Sequence, residues 1–158
     1  MISVDIGAVR FNFRVGGVCI DDGYVLVNRN PGDDWYYLPG GRCESMEATD
    51  QTLLREVQEE LDVVVRLDGL LWVVENFFRM NERDWHEIAF YYRFALPDNC
   101  PYHDKMRSYE RIESADGLTL IFEWLPLADL KTFTIFPDFL QEKLAALPAS
   151  PEHIVHRD

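Results

Sequence analysis

The segment from Gly41 to Val63, GRCESMEATDQTLLREVQEELDV, constrains this chain more than any other part of it. From about Ala48 to Glu60 it contains neither glycine nor proline, and Leu54, Val57 and Leu61 recur at helical spacing as one apolar stripe. This predicts a central helix, with Ser45 as candidate N-cap, its hydroxyl accepting an orphan N–H of the first turn. At about 100° per residue, Glu56, Glu59 and Glu60 share one arc beside the apolar stripe. One side of the helix therefore packs while its neighbour carries carboxylates that repel each other, by about 0.2–0.5 kcal/mol per like-charge pair. A hard divalent cation offsets that repulsion, because Mg²⁺ takes oxygen ligands and is held by a few carboxylates together with substrate phosphates. Taken alone, the acid cluster fits a solvated helix face with Arg55 as counter-charge somewhat better, so the surrounding positions decide.

Either side of this helix the chain reads as sheet. VRFNFRVGGVCI is a strand, and Asp22-Gly23 offers hairpin turn chemistry before YVLVNR, which predicts a two-stranded start. DDWYYLPGGR ends in Pro39-Gly40-Gly41, where glycine permits positive φ and close backbone approach, as a tight ligand-facing loop requires. VVVRLDGLLWVVENFF, HEIAFYYRFAL and LTLIFEWLPL are rich in β-branched and aromatic residues and should be strands. Pro97 to about Asp116 is a polar connection longer than ordinary loops, read as a substrate-binding loop in preference to a disordered one. FPDFLQEKLAAL, with proline in its first turn and Phe139, Leu140, Leu144 and Leu147 at helical spacings, predicts a second helix that closes the domain.

With 158 residues, 47% of them hydrophobic, the chain has the length of one domain and the material for a proper core. A net charge of −13 repels a phosphate backbone at long range, so nucleic acid is a poor partner, and an anionic substrate would need cations to mediate its approach. Cys19, Cys43 and Cys100 are odd in number and lack CxxC spacing, which argues against a disulfide framework or zinc knuckle and for a reducing cytoplasm. No stretch approaches the ~20 apolar residues of a membrane span, and no signal peptide is apparent, so no membrane partner is expected.

Gly41, Glu47, Arg55-Glu56, Val57, Glu59-Glu60 and Val63 stand at the spacings of the Nudix box, and the segment resembles that family. For the six matched non-aliphatic positions, chance gives this agreement on the order of once in a hundred thousand chains. One fixed position departs. Asp62 replaces the family's glycine just after the helix, where a left-handed cap is expected, at about 1 kcal/mol and without touching the carboxylates; the departure bears on the loop that follows. The resemblance implies an α/β fold, a Nudix-type α/β/α sandwich with a mixed β-sheet between helices, over a single domain, 1–158. It implies a metal-dependent pyrophosphohydrolase that cleaves a phosphoanhydride bond in a nucleoside diphosphate linked to another moiety. Glu56, Glu59 and Glu60, with the carbonyl of Gly41, would hold Mg²⁺ or Mn²⁺. Arg55 and Glu47 would brace the loop against the helix. Water would be oriented or deprotonated by Glu56 or Glu59, or by a loop residue such as Glu113 or Glu110. The expected partner is a small-molecule nucleotide, and a homodimer accords with the family.

Other residues carry flatter readings. His86-Glu87 reads first as a strand-end pair satisfied by solvent or backbone, and second as an approach to the site. Arg14 and Arg29 suit phosphate oxygens or an ordinary sheet surface. Trp35, Tyr36, Phe77 and Trp85 are base-stacking candidates, although most aromatics at such positions are core. The rivals are a non-catalytic Nudix-fold nucleotide-binding or sensor module, whose signature would be lost box carboxylates, a structural domain with an acidic surface, and an enzyme acting on RNA caps or isoprenoid diphosphates.

Overall fold

Strand residues here alternate between two faces, and each face finds a different partner. The computed structural model describes residues 1–158. The strands before the helix are β1 (Ser3–Ile6), β2 (Val9–Val18), β3 (Ile20–Asp21), β4 (Tyr24–Arg29) and β5 (Trp35–Tyr36). Helix α1 (Thr49–Leu61) leads to the long strands β6 (Arg66–Met80) and β7 (Arg83–Ala95), then β8 (Tyr109–Ile112) and β9 (Thr119–Pro126). A 3-10 helix (Leu127–Thr132), β10 (Thr134–Ile135), α2 (Leu140–Lys143) and β11 (Glu152–Arg157) complete the chain. No helix is long and apolar enough to cross a membrane.

The main sheet has the order β1-β2-β7-β6-β11 and is mixed: β2 runs parallel to β7 and β11 parallel to β6, while β6 and β7 are antiparallel. A four-stranded antiparallel sheet, β3-β4-β9-β8, and the short parallel pair β5-β10 stand beside it. Asp22 (φ 49°) and Gly23 (φ 80°) join β3 to β4 with Asp21 opposite Tyr24, the two-residue positive-φ turn that suits twisted strands. Only β3 enters that hairpin. The long β2 before it pairs with β7 instead, which corrects the expected two-stranded start, since alternation specifies faces and not neighbours.

Phe13, Val15 and Gly17 form one face of β2 and meet α1, whose Leu53, Val57 and Leu61 pack with Val15 and Phe94. A Cβ on Gly17 would collide with Phe94 and Leu53, so the glycine sets how closely helix and sheet approach. Leu53, fully buried, leads the stripe in place of Leu54, which is only half-buried. On the opposite face Val18, Trp72, Val74, Ala89 and Tyr91 pack with Leu130 of the 3-10 helix and with Leu140 and Leu144. Helical elements thus cover both sides, an α/β arrangement in which the second layer is thin.

Two local expectations fail. The C-terminal helix is a single turn followed by β11, a strand that the apolar spacing did not suggest. Leu140 and Leu144 reach the core from that one turn, so the spacing reported which side chains are buried without requiring a continuous helix between them. Ser45 does not cap α1 either: Ala48 occupies the N-cap position with no side-chain bond. The residues between Ser45 and the helix are held outside it, where Glu47 turns to meet Arg55. At the other end Asp62 adopts the left-handed conformation (φ 56°, ψ 41°), and its N–H donates to the Gln58 carbonyl.

Candidate functional site

Glu56 and Glu60 lie one turn apart on the buried side of α1, with exposures of 8% and 4%. Glu59, beside them, is half-buried. Arg55 sits at the centre of these acids. Its Nε and Nη2 donate to the two oxygens of Glu47 at 2.8 and 3.0 Å, its Nη1 donates to Glu56 at 2.8 Å and Glu59 at 3.1 Å, and Nη2 also reaches the Arg42 carbonyl at 3.1 Å. Thr52 Oγ1 and the Glu44 N–H donate to Glu47 as well. The Arg55 guanidinium beside Glu47 holds that carboxyl down at about 2, and the same contact raises Arg55 further.

Gly41 passes so close to this helix that a Cβ there would overlap the Glu56 carboxylate. Its carbonyl accepts the Val15 N–H at 2.8 Å, which leaves one lone pair for another partner.

The connection after Pro97 is partly ordered as β8 and docks on the C-terminal end of α1. Tyr102 Oη donates to the Leu61 carbonyl at 2.8 Å, and the Ser114 N–H donates to the Glu59 carbonyl at 3.1 Å. Both satisfy carbonyls that a helix end leaves without intrahelical partners. Docking brings Glu113 to the acids: Glu56, Glu59 and Glu113 each offer an oxygen within 4.8 Å of the others. Glu110, on β8, is not in that group.

Burial pushes Glu60 well above the usual carboxylate range, with Glu56 and Glu113 adding to it, and burial likewise raises Glu56 against the opposing pull of Arg55. Glu113 is pushed up to about 7, first by burial and then by Asp116, Glu56 and Glu59. Glu60 Oε2 is buried with no hydrogen-bond partner. An orphaned carboxylate oxygen next to three clustered acids is the donor set a hard divalent cation takes, so the residues present fit Mg²⁺ or Mn²⁺.

These acids line one cavity, and a second, of about 260 Å³, adjoins it: Arg14, Tyr37 and Arg42 border both. Arg14 and Arg42 face each other across a β-bridge. Burial opposes the charge of Arg14, but Glu87, Tyr91, Glu60 and Glu56 around it outweigh that and raise it. Arg29 is placed elsewhere, paired with Glu123 at 2.8 Å. His86 stacks on Phe77 at 4.5 Å between ring centroids, while Glu87 is buried and lines the second cavity with Trp85. Trp35 and Tyr36 form β5 and line neither cavity. Sequence reasoning missed Arg42, Tyr37, Asn12 and Asn76. Of these only Asn76 left a local signal, since it interrupts the apolar face of Trp72, Val74 and Phe78 in β6, whereas Asn12 shares its face with Arg10 and Arg14.

A family model described as NUDIX domain matches residues 10–145. No curated protein matches the chain by sequence. Among solved structures, the chain is similar to an ADP-ribose pyrophosphatase from Streptococcus suis, with 13% identity, 91% of this chain and 98% of that one covered, and a TM-score of 0.61. It is similar to the mutator MutT protein from Bacillus halodurans at 16% identity, covering 92% and 89% of the two chains with a TM-score of 0.60. A NUDIX hydrolase from Nitrosomonas europaea gives 17% identity, coverage of 93% and 79%, and a TM-score of 0.58. At identities this low the likeness is one of fold.

Proposed function

The chain belongs to the NUDIX hydrolase family, and we propose that it hydrolyses a phosphoanhydride bond in a nucleoside diphosphate linked to another group, with residues 1–158 acting as one domain. The observation that carries this reading is the convergence of Glu56, Glu59 and Glu113 with the partnerless oxygen of Glu60 at the rim of an arginine-bordered cavity. Glu56, Glu59 and Glu60, with the free lone pair of the Gly41 carbonyl, would hold Mg²⁺ or Mn²⁺. A cation bound there supplies charge neutralisation on phosphoryl oxygens and lowers the pKa of water.

The chain's own residues do the rest. Glu113, held near 7, can take a proton from water at neutral pH and release it again. Arg55 and Glu47 fix the helix against the loop that carries Gly41. Arg14 and Arg42, which border the acid-lined cavity, suit bidentate contact with phosphate oxygens, which offsets the repulsion a chain of net charge −13 would exert on an anion. Among structurally similar proteins is an ADP-ribose pyrophosphatase, which supports a small nucleotide as the class. Three unpaired cysteines support a reducing compartment.

The test is release of phosphate or nucleoside monophosphate from nucleoside triphosphates, nucleotide sugars, dinucleoside polyphosphates, NADH and coenzyme A, with and without Mg²⁺ or Mn²⁺, comparing wild type with Glu60→Gln. Turnover that requires metal and collapses in the variant is expected. Silence across the panel, with a nucleotide still raising thermal stability, would replace the hydrolase with a non-catalytic nucleotide-binding module.

A further inference from the structure

The cavity next to the acid cluster has an unusual floor. In the main sheet Asn12 pairs with Glu87 across β2 and β7, Glu87 pairs with Asn76 across β7 and β6, and Asn76 pairs with His156 across β6 and β11. Directly paired residues project to the same face, so four polar side chains form one row across four strands. Asn12, Glu87 and Asn76 are 3%, 5% and 4% exposed. One step along the same face the residues are Val74 and Ala89, both in the apolar core.

Burying polar groups mid-sheet is costly unless each is hydrogen-bonded, and here the bonding is incomplete. Asn12 Nδ2 donates to Glu87 Oε2 at 2.8 Å, and Asn76 Oδ1 lies 2.8 Å from His156 Nδ1. That leaves Asn12 Oδ1, which is buried with no partner, then the second oxygen of Glu87, then Asn76 Nδ2. Read in strand order, the free groups are acceptor, acceptor, donor. Above them the walls are aromatic: Phe78 and Trp85 stack at 5.6 Å, and Tyr37 lies 6.2 Å from Phe136.

A planar ligand with two adjacent donors followed by an acceptor complements this floor. Among nucleobases, the Watson–Crick edge of guanine has that order, from its 2-amino group through N1–H to O6. Adenine presents one donor beside an acceptor, and the pyrimidines do not place two donors side by side. We propose that Asn12, Glu87 and Asn76 read a guanine-type edge and so select guanine nucleotides. The inference rests on the nucleotide reading of the acid cluster. The geometry connects the two, because Arg14, Tyr37 and Arg42 border both cavities.

The experiment is calorimetric binding of GMP, IMP and AMP to the full chain in EDTA, with wild type and Glu87→Gln. IMP differs from GMP only in lacking the 2-amino donor, so the comparison on wild type needs no variant to fold. GMP is expected to bind on the order of tenfold more tightly than IMP, and AMP more weakly than both. Glu87→Gln should melt as wild type does and lose most of the advantage of GMP over AMP. Equal binding of the three, a preference for AMP, binding of none, or an undiminished GMP advantage in a folded Glu87→Gln overturns the proposal. The hydrolytic reading fails separately: guanine selectivity without any metal-dependent turnover removes the enzyme and keeps the base site, while turnover indifferent to the base does the reverse.

Discussion

The Ser114 backbone N–H donates to the carbonyl of Glu59, 3.1 Å away, and so ties the loop after β8 to the helix that carries the acid cluster. Glu113 is the neighbour of Ser114, so this bond sets where the fourth carboxylate of the site stands. The loop is positioned because the last carbonyls of a helix lack internal partners and take donors from whatever packs there.

Ser114→Pro removes that donor. It should lower kcat about tenfold while costing about 1–2 kcal/mol of stability, because the N–H bond and the Ser114 Oγ bond to the same carbonyl, at 3.3 Å, are both lost. Steady-state kinetics beside urea unfolding checks it. An unchanged kcat in a folded variant would show that the loop is held by other contacts.

Glu113→Gln should lower kcat about a hundredfold, the size of a lost general base, and remove the acid limb of the pH–rate profile near 7. Glu110→Gln should leave both intact. If the two variants behave alike, Glu113 is not the proton acceptor.

Glu60 and Glu113 both have pKa values raised on folding. A carboxyl of this kind contributes stability that is present in full below its ordinary value near 4.5 and is lost as pH rises, through about 7 for Glu113. The metal-free protein should therefore melt lower at about pH 8 than at about pH 5.5, and Mg²⁺ should raise the melting temperature more at the higher pH. Glu60→Gln should flatten the pH dependence and raise metal-free stability. A melting temperature indifferent to both pH and Mg²⁺ would contradict the cation site.

Glu47 runs the opposite way. Its pKa is depressed to about 2, so its pairing with Arg55 stabilises the fold above about 4.5 and is lost as pH falls through about 2. Because the pair is partly solvated, Glu47→Gln should cost about 1–2 kcal/mol at neutral pH, and the difference should close in acid. Urea unfolding at two pH values measures this.

Asp62→Gly should stabilise the protein by about 0.5–1 kcal/mol, since glycine enters the left-handed region without strain, offset in part by loss of the Gln58 Nε2 bond to Asp62 Oδ1 at 2.9 Å. Catalysis should not change. A loss of stability would mean that the aspartate is there for its side chain.

What the sequence determined by itself was local or periodic. The angular spacing of Glu56, Glu59 and Glu60, the Asp22-Gly23 turn, the long strands β6 and β7 and the left-handed cap at Asp62 each depend on residues within a few positions of one another. What periodicity could not supply was partnership: β2 beside β7, β11 beside β6, and the single-turn α2 in place of a full helix follow from packing between distant segments. The second cavity is the clearest case. Asn12, Glu87, Asn76 and His156 are spread over most of the chain and mean little in their own strands; only the register of four strands aligns them. In the same way Glu113 stood in the sequence as one acid in a polar loop, and became part of the site because the helix end left a carbonyl for its neighbour to bond.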